Sequence, residues 1–97
     1  MTDPVDVEQS EVRVWLVERT YSDDEQNIVI LVYATPDGTR YLRRERALTS
    51  FTDVRETSAA VEADPLNLGQ VEEPEERERY ATEAKRMREK HDPDDVI

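Results

Sequence analysis

Cysteine is missing from this chain of 97 residues, and glycine occurs only at Gly38 and Gly69. The absence of cysteine excludes disulfide bonds, thiolate catalysis and cysteine-bound zinc or iron–sulfur centres. Two isolated glycines exclude the glycine-rich loops with which P-loop and dinucleotide-binding proteins hold phosphate groups. His91 is the only histidine, and its position near the end of a predicted helix favours a helix-terminating role over catalysis or metal binding. We therefore expect a protein that is not an enzyme and binds no cofactor or metal.

Long apolar segments are also missing. The longest apolar run, residues 28–34, has seven residues, whereas a membrane-spanning helix needs about 20. Residues 1–10 are acidic and lack the apolar centre of a signal peptide. We therefore expect a cytoplasmic protein with no membrane contact.

The charge of the chain is strongly one-sided. Aspartate and glutamate number 24 against 13 basic residues, which gives a net charge of −11, and the only lysines are Lys85 and Lys90. Such a surface repels itself unless salt screens the charges, and short carboxylates retain water better than the apolar stems of lysines do. In composition the chain resembles the small acidic proteins of extremely halophilic archaea. This resemblance rests on no functional motif, so it implies a cytosol rich in potassium salt and nothing about activity.

Alternation of apolar and polar residues predicts a strand over residues 11–20. One face of this strand is apolar and belongs to the core, with Val12, Val14 and Leu16. The other face carries Arg13, Trp15, Val17 and Arg19, a mixture typical of a half-covered or partner-facing surface. Residues 28–33 are apolar on both faces, which predicts a central strand that is covered on both sides.

The sequence Thr35-Pro36-Asp37-Gly38 predicts a hairpin loop because proline, aspartate and glycine each suit one position of a tight turn. Residues 39–48 then return as the antiparallel partner strand. The segment 53–63 is ambiguous between helix and strand, and we favour a strand because the preceding elements form a meander. Residues 74–91 are predicted to form a helix, with Pro74 in the first turn and a narrow buried stripe. The stripe consists of Tyr80, Ala84, Met87 and His91.

These elements predict one α+β domain over residues 1–97. It is an antiparallel meander of three or four strands with one C-terminal helix packed on a face. The expected divisions are an acidic lead-in (1–10), the meander (11–63), a connecting loop (64–73), the helix (74–91) and a tail (92–97). A helix with so narrow a stripe covers only one face of the central strand, so the other face needs either the segment 51–71 or a second copy of the protein.

Positive charge is concentrated in residues 40–46, within the third predicted strand. Four of these seven residues are arginines, Tyr41 lies among them, and a single glutamate interrupts the run. Two hypotheses follow: a non-enzymatic interaction domain that forms a homodimer or binds another protein through its sheet, or a nucleic-acid-associated protein that binds through these arginines. Pairing with the abundant carboxylates is the structural alternative for the same arginines. The candidate partner-binding residues are Arg13, Trp15, Arg19, Arg40, Tyr41, Arg43, Arg44 and Arg46.

Overall fold

The computed structural model describes residues 11–22, 28–47 and 57–97. They form a five-stranded antiparallel sheet and one C-terminal helix that packs on a face of the sheet, which confirms the predicted α+β class. The order of strands across the sheet is β4-β1-β2-β3-β5, which is one strand, β5, more than the three or four predicted. The elements are β1 (Val12–Ser22), β2 (Ile28–Ala34), β3 (Arg40–Ala47), β4 (Ala60–Ala63), a 3-10 helix (Pro65–Asn67), β5 (Gly69–Gln70) and helix α1 (Pro74–Lys90).

The predicted hairpin joins β2 to β3 and is confirmed. The N–H of Gly38 donates to the carbonyl oxygen of Thr35 at 2.8 Å, and Gly38 has a φ of 75°, a left-handed conformation that favours glycine. The carboxylate of Asp37 accepts hydrogen bonds from the Thr35 hydroxyl at 2.6 Å and from the Thr39 N–H at 2.9 Å. These bonds, the one from Thr35 first, lower the pKa of Asp37 to about 2.

A β-bulge interrupts the pairing of β1 with β2. Leu16 pairs with Tyr33, and Glu18 pairs with Val32, so Val17 is an extra residue in β1. Because a bulge residue is left out of the pairing, every later side chain lies on the opposite face from the one that strict alternation of the sequence predicts. Strict alternation along β1 therefore holds only as far as the bulge.

The strand register divides the sheet into two faces, because paired residues of antiparallel strands share a face. We name the side on which α1 packs the helix face and the opposite side the arginine face. Positions on the helix face include Arg13, Trp15, Glu18, Thr20, Ile30, Val32, Ala34, Tyr41, Arg43, Glu45, Ala60 and Glu62. Positions on the arginine face are Val12, Val14, Leu16, Arg19, Tyr21, Val29, Leu31, Tyr33, Arg40, Leu42, Arg44, Arg46, Val61, Ala63 and Gln70.

Helix α1 packs with the stripe predicted from its sequence. Tyr80, Ala84 and Met87 are its buried residues, and Tyr80 packs in one cluster with Val32 and Ala34 of β2. His91, predicted as the last helical residue, is the C-cap instead, and its N–H donates to the carbonyl of Met87 at 2.9 Å. The helix therefore covers the middle of the sheet.

The hairpin tip touches the first half of α1. A Cβ atom built on Gly38 would collide with the carbonyl oxygen of Arg77 and would lie 2.9 Å from the backbone nitrogen of Ala81. Farther along, the guanidinium of Arg79 lies 3.3 Å from the carboxylate of Glu18 in β1. The backbone contact at Gly38 and the ion pair between Arg79 and Glu18 thus hold α1 above the hairpin and β1.

Trp15 differs from its expected position at a partner-facing surface. It lies on the helix face and is only 4% exposed, beside a depression lined by Pro36 and by residues at the end of α1, including Arg88 and His91. The central strand is likewise buried within the single chain, with Leu31 2% exposed and Tyr33 3% exposed. The homodimer hypothesis therefore loses its original support, an apolar strand without a cover.

Two segments predicted as a loop and a tail pair with the sheet. Within residues 64–73, Gly69 and Gln70 form β5, a strand too short to produce an alternating pattern in the sequence. Gly69 permits the close approach to β3, since a Cβ there would lie 2.6 Å from the Tyr41 ring. In the predicted tail, Asp95 accepts a backbone hydrogen bond from Ala59 at 2.7 Å, and Ile97 donates one to Thr57 at 2.9 Å.

The ambiguous segment 53–63 ends as a strand. β4 pairs with the first part of β1, with Val61 opposite Val14 and Ala63 opposite Val12. The strand interpretation is therefore confirmed for residues 60–63. The first part of the segment, residues 53–56, lies outside the described residues, as do the predicted lead-in and residues 51–56 of the predicted cover.

Candidate functional site

The strands bring all six candidate arginines into one sheet but not onto one face of it. Arg13 and Arg43 lie on the helix face together with Trp15 and Tyr41. The arginine face carries the other four candidates, Arg19, Arg40, Arg44 and Arg46. The predicted single patch is thus two groups with different surroundings.

Arginines on the helix face are paired with carboxylates. Arg13 contacts Glu62 of the adjacent β4 at 2.6 Å, and Arg43 forms an ion pair with Glu45 on its own strand. The strands contain only one other carboxylate, Glu18, which contacts Arg79 of α1. All of these pairs are solvent-exposed and each contributes at most about 1 kcal/mol. This half of the candidate set follows the structural alternative of pairing with acids.

The arginine face has a different composition. Its positions in the five described strands include four arginines and no aspartate or glutamate. Within the described part of the chain, none of the four forms an ion pair with a carboxylate side chain; Arg19 donates to the backbone oxygen of Ile97 at 2.9 Å. In a chain with 24 acidic residues, the described strand positions of this face therefore carry a local excess of positive charge.

Two tyrosines lie among these arginines. Tyr21 is 63% exposed and shares a row across the sheet with Val29 and Arg46. Tyr33 is buried, and burial raises its pKa above the ordinary value, whereas the charges of Arg44, Arg46 and Arg19 act to lower it. Three guanidinium groups thus influence one phenol group.

A cleft opens on the arginine face next to Tyr33. Its volume is about 420 Å³. Arg46 extends toward the segment before β4, with its Nη2 at 3.5 Å from the Thr57 hydroxyl. The described lining residues are Leu31, Tyr33, Arg44, Glu45, Arg46, Ser58 and Val61. Chemically, the cleft combines an apolar base with cationic and hydroxyl donors, a set suited to an anion with an apolar part.

Several parts of this site were not predicted from the sequence. Arg19 was expected beside Arg13, and only the bulge at Val17 places it with Arg44. Tyr33 and Ser58 join the site through pairing between segments distant in sequence, for which no local pattern exists. A local signal was present for one pair: Arg44 and Arg46 are two residues apart in a strand and therefore share a face.

Within the residues that the structure describes, no three side chains of the metal-binding types come close enough together to hold a metal ion. A search of the same residues finds no helix with the length and apolar character needed to cross a membrane.

Comparison with known proteins gives a family for the chain. No curated protein matches it, and no solved structure matches it. One family model matches residues 8–97, which include every described strand and helix α1. The chain belongs to this family, a family of unknown function designated DUF7967.

Proposed function

We propose that this protein is a non-enzymatic interaction domain whose arginine face binds single-stranded nucleic acid. The supporting observation is the separation of charge: four arginines and no carboxylate at the described strand positions of this face, in a chain of net charge −11. Guanidinium groups match the oxygens of phosphate in both charge and planar geometry. Among the described strand positions, those of the arginine face are the ones that a phosphate backbone approaches with least repulsion.

Tyr21 adds a second kind of contact. Its ring is largely exposed and follows Arg19 at the two-residue spacing that keeps both on one face of β1. Single-stranded binders combine cationic grooves with aromatic rings on which bases stack, and each stacked base contributes about 1–3 kcal/mol. Tyr21 is therefore the stacking residue of the proposal, and Arg19, Arg44 and Arg46 are its phosphate contacts.

Salt decides how such binding behaves. Contacts with phosphate weaken as salt rises, with a slope of about −0.7 in log K against log salt for each phosphate neutralised on a single strand. Repulsion from remote carboxylates also falls, since the Debye length is about 3 Å at 1 M salt. Hydrogen bonds and base stacking act at contact distance and are little screened by salt. We therefore expect weak binding whose electrostatic part decreases with salt and whose stacking part remains.

A titration of a fluorescent single-stranded oligonucleotide at stepped KCl concentrations tests this function. With three or four phosphate contacts, the expected slope is about −2 to −3. Arg44→Gln should weaken binding and bring the slope about 0.7 closer to zero. The matched control is Arg13→Gln, which removes a half-exposed strand arginine from the helix face and should leave binding unchanged. Equal losses in both variants, or no binding at the lowest KCl that retains the fold, would contradict the proposal.

The outer edge of β3 favours a second candidate, the homodimer through the sheet. Beyond Tyr41, no described strand pairs with this edge. In β3, the backbone of Arg40 is hydrogen-bonded to Thr35 on the β2 side, whereas the backbone of Thr39 is hydrogen-bonded to Val71 on the outer side. Because the direction alternates along a strand, the odd-numbered residues of β3, including Arg43 and Glu45, direct their backbone groups outward. Antiparallel pairing of two copies centred on Arg44 places Arg43 of each copy opposite Glu45 of the other, so the edge is complementary in charge to itself.

Light scattering in molar KCl distinguishes this candidate. The homodimer predicts a dimeric mass for the native chain and a monomer for Glu45→Arg, which sets like charges opposite each other. Exchange of both charges, in the double variant Arg43→Glu with Glu45→Arg, should restore the dimer. A native chain that remains monomeric at high protein concentration excludes it.

We further propose that the protein works in the cytosol of an extreme halophile. The net charge of −11 and the presence of only two lysines support this proposal, because both suit a surface that is screened and hydrated in concentrated salt. Stability measured against KCl concentration is its test, and the Tm should rise with KCl.

A further inference from the structure

The cleft next to Tyr33 provides a more specific site than the rest of the arginine face. Arg44 and Arg46 lie two positions apart on β3 and both line it. On the other side is Ser58, which is held by backbone pairing with Val96. Cationic and hydroxyl groups from β2, β3 and the segment before β4 therefore converge on one opening.

The electrostatics of the cleft favour an anion. Glu45 is the one carboxylate among the described lining residues, and it forms an ion pair with Arg43. Arg44 and Arg46 both act on the hydroxyl of Tyr33, as their lowering influence on its pKa indicates. The charge that the cleft presents to a ligand is consequently positive.

The donors fit a phosphate monoester better than other common anions. A monoester carries about −1.5 to −2 charges at pH 7 and three terminal oxygens, which matches two guanidinium groups assisted by two hydroxyl groups. A carboxylate or an internal phosphodiester has a single charge and two such oxygens. The half-buried Val61 offers an apolar contact for the organic group that carries the phosphate, and the cleft volume of about 420 Å³ leaves room for it.

We infer that this cleft holds a phosphate monoester, either the terminal phosphate of a nucleic-acid strand or a free nucleotide. The inference deepens the proposed function and rests on it, because the same arginines take part. It predicts that a strand is held by its phosphorylated end, with the remaining nucleotides along the arginine face toward Arg19 and Tyr21.

Three oligonucleotides of one sequence test the inference: unphosphorylated, 5′-phosphorylated and 3′-phosphorylated. A nucleoside monophosphate is titrated in parallel, all at the same KCl concentration. We expect at least one phosphorylated end to tighten binding about tenfold, which corresponds to about 1.4 kcal/mol. Arg46→Gln should abolish this preference, and Tyr33→Phe should reduce it. Arg13→Gln, on the helix face, should retain it.

The outcomes separate the inference from the function beneath it. Equal affinity for all three oligonucleotides would overturn the terminal-phosphate site and leave the arginine face as a binding surface. Binding of the nucleoside monophosphate without binding of any oligonucleotide would support the cleft and contradict the proposed function. Absence of binding to all four probes would overturn both. Because Tyr33→Phe keeps the buried ring, a loss of preference in that variant reports the hydroxyl and not the fold.

Discussion

Arg19 of β1 lies directly opposite Leu31 of β2. This pairing exists because Val17 occupies a bulge; if Val17 took a regular paired position in β1, Arg19 would lie on the helix face beneath α1. The same row continues across β2 to Arg44 of β3, so Leu31 has an arginine on either side. The bulge in β1 therefore adds Arg19 to the arginines that β3 already places on this face.

Deletion of Val17 should remove the bulge and leave the faces of the later residues unchanged. Leu16 and Glu18 pair with the adjacent residues Tyr33 and Val32, so the shortened strand alternates regularly. The expected result is that the contact between Glu18 and Arg79 and oligonucleotide binding are both retained. The control, Val17→Ala, keeps the number of residues and should cost only about 1 kcal/mol while binding is retained. Loss of binding by a folded deletion variant would contradict this register.

Substitution of Gly38 should destabilise the protein for two separable reasons. Gly38→Ala places a side chain both at a left-handed φ and against the carbonyl of Arg77, with an expected loss of about 2 kcal/mol or more. Asparagine tolerates left-handed angles, yet its Cβ meets the same carbonyl. Gly38→Asn should therefore also lower the free energy of unfolding. Near-native stability of Gly38→Asn would mean that conformation alone, and not contact with α1, matters here.

Asp37 should contribute to the pH dependence of stability. Its pKa is about 2 in the folded protein against an ordinary value of 3.8, so the folded state favours its charged form. The contribution is fully present above pH 4 and is lost as the pH falls toward 2. Thermal melts at pH 5 and pH 3, in constant salt, should show a larger decrease for the native chain than for Asp37→Asn. Equal decreases would contradict this, and an NMR titration would locate the pKa directly.

The contact between α1 and the sheet leaves no room at Ala84, whose side chain is fully buried. Ala84→Leu should lower the free energy of unfolding by about 1–3 kcal/mol, because added methyl groups must displace well-packed neighbours. Thr82→Leu, at an exposed position of the same helix, is the matched control and should stay within about 0.5 kcal/mol. Denaturant unfolding of both variants makes the comparison. Similar losses in the two would contradict close packing at Ala84.

Stability should rise with KCl concentration. Between 0.1 M and 1 M salt, the Debye length falls from about 10 Å to about 3 Å, so mutual repulsion within a chain of net charge −11 decreases. A gain of about 1 kcal/mol raises the Tm of a domain this size by about 4–8 °C. Sucrose, which strengthens burial without screening charge, is the control. A Tm that does not respond to KCl would contradict the halophilic environment.

Local signals in the sequence were sufficient for the central elements. The hairpin follows from Pro36, Asp37 and Gly38, and the helix stripe from the spacing of Tyr80 and Ala84. What the sequence did not indicate depends on contacts between distant segments. The bulge at Val17 is determined by pairing with β2 and leaves no mark in an alternating pattern, and the burial of Trp15 depends on where α1 packs. For this reason the candidate arginines were identified by residue but not by face.

The burial of Trp15 beneath the end of α1 gives the protein an internal optical probe. It is the only tryptophan in the chain, and its indole ring lies on the opposite side of the sheet from the proposed ligand. Separation of the helix from the sheet should expose the ring to water and shift its fluorescence emission to longer wavelength. Occupation of the arginine face should leave that emission unchanged. Trp15 emission therefore reports folding while the fluorescent oligonucleotide reports binding, so one sample gives two independent signals.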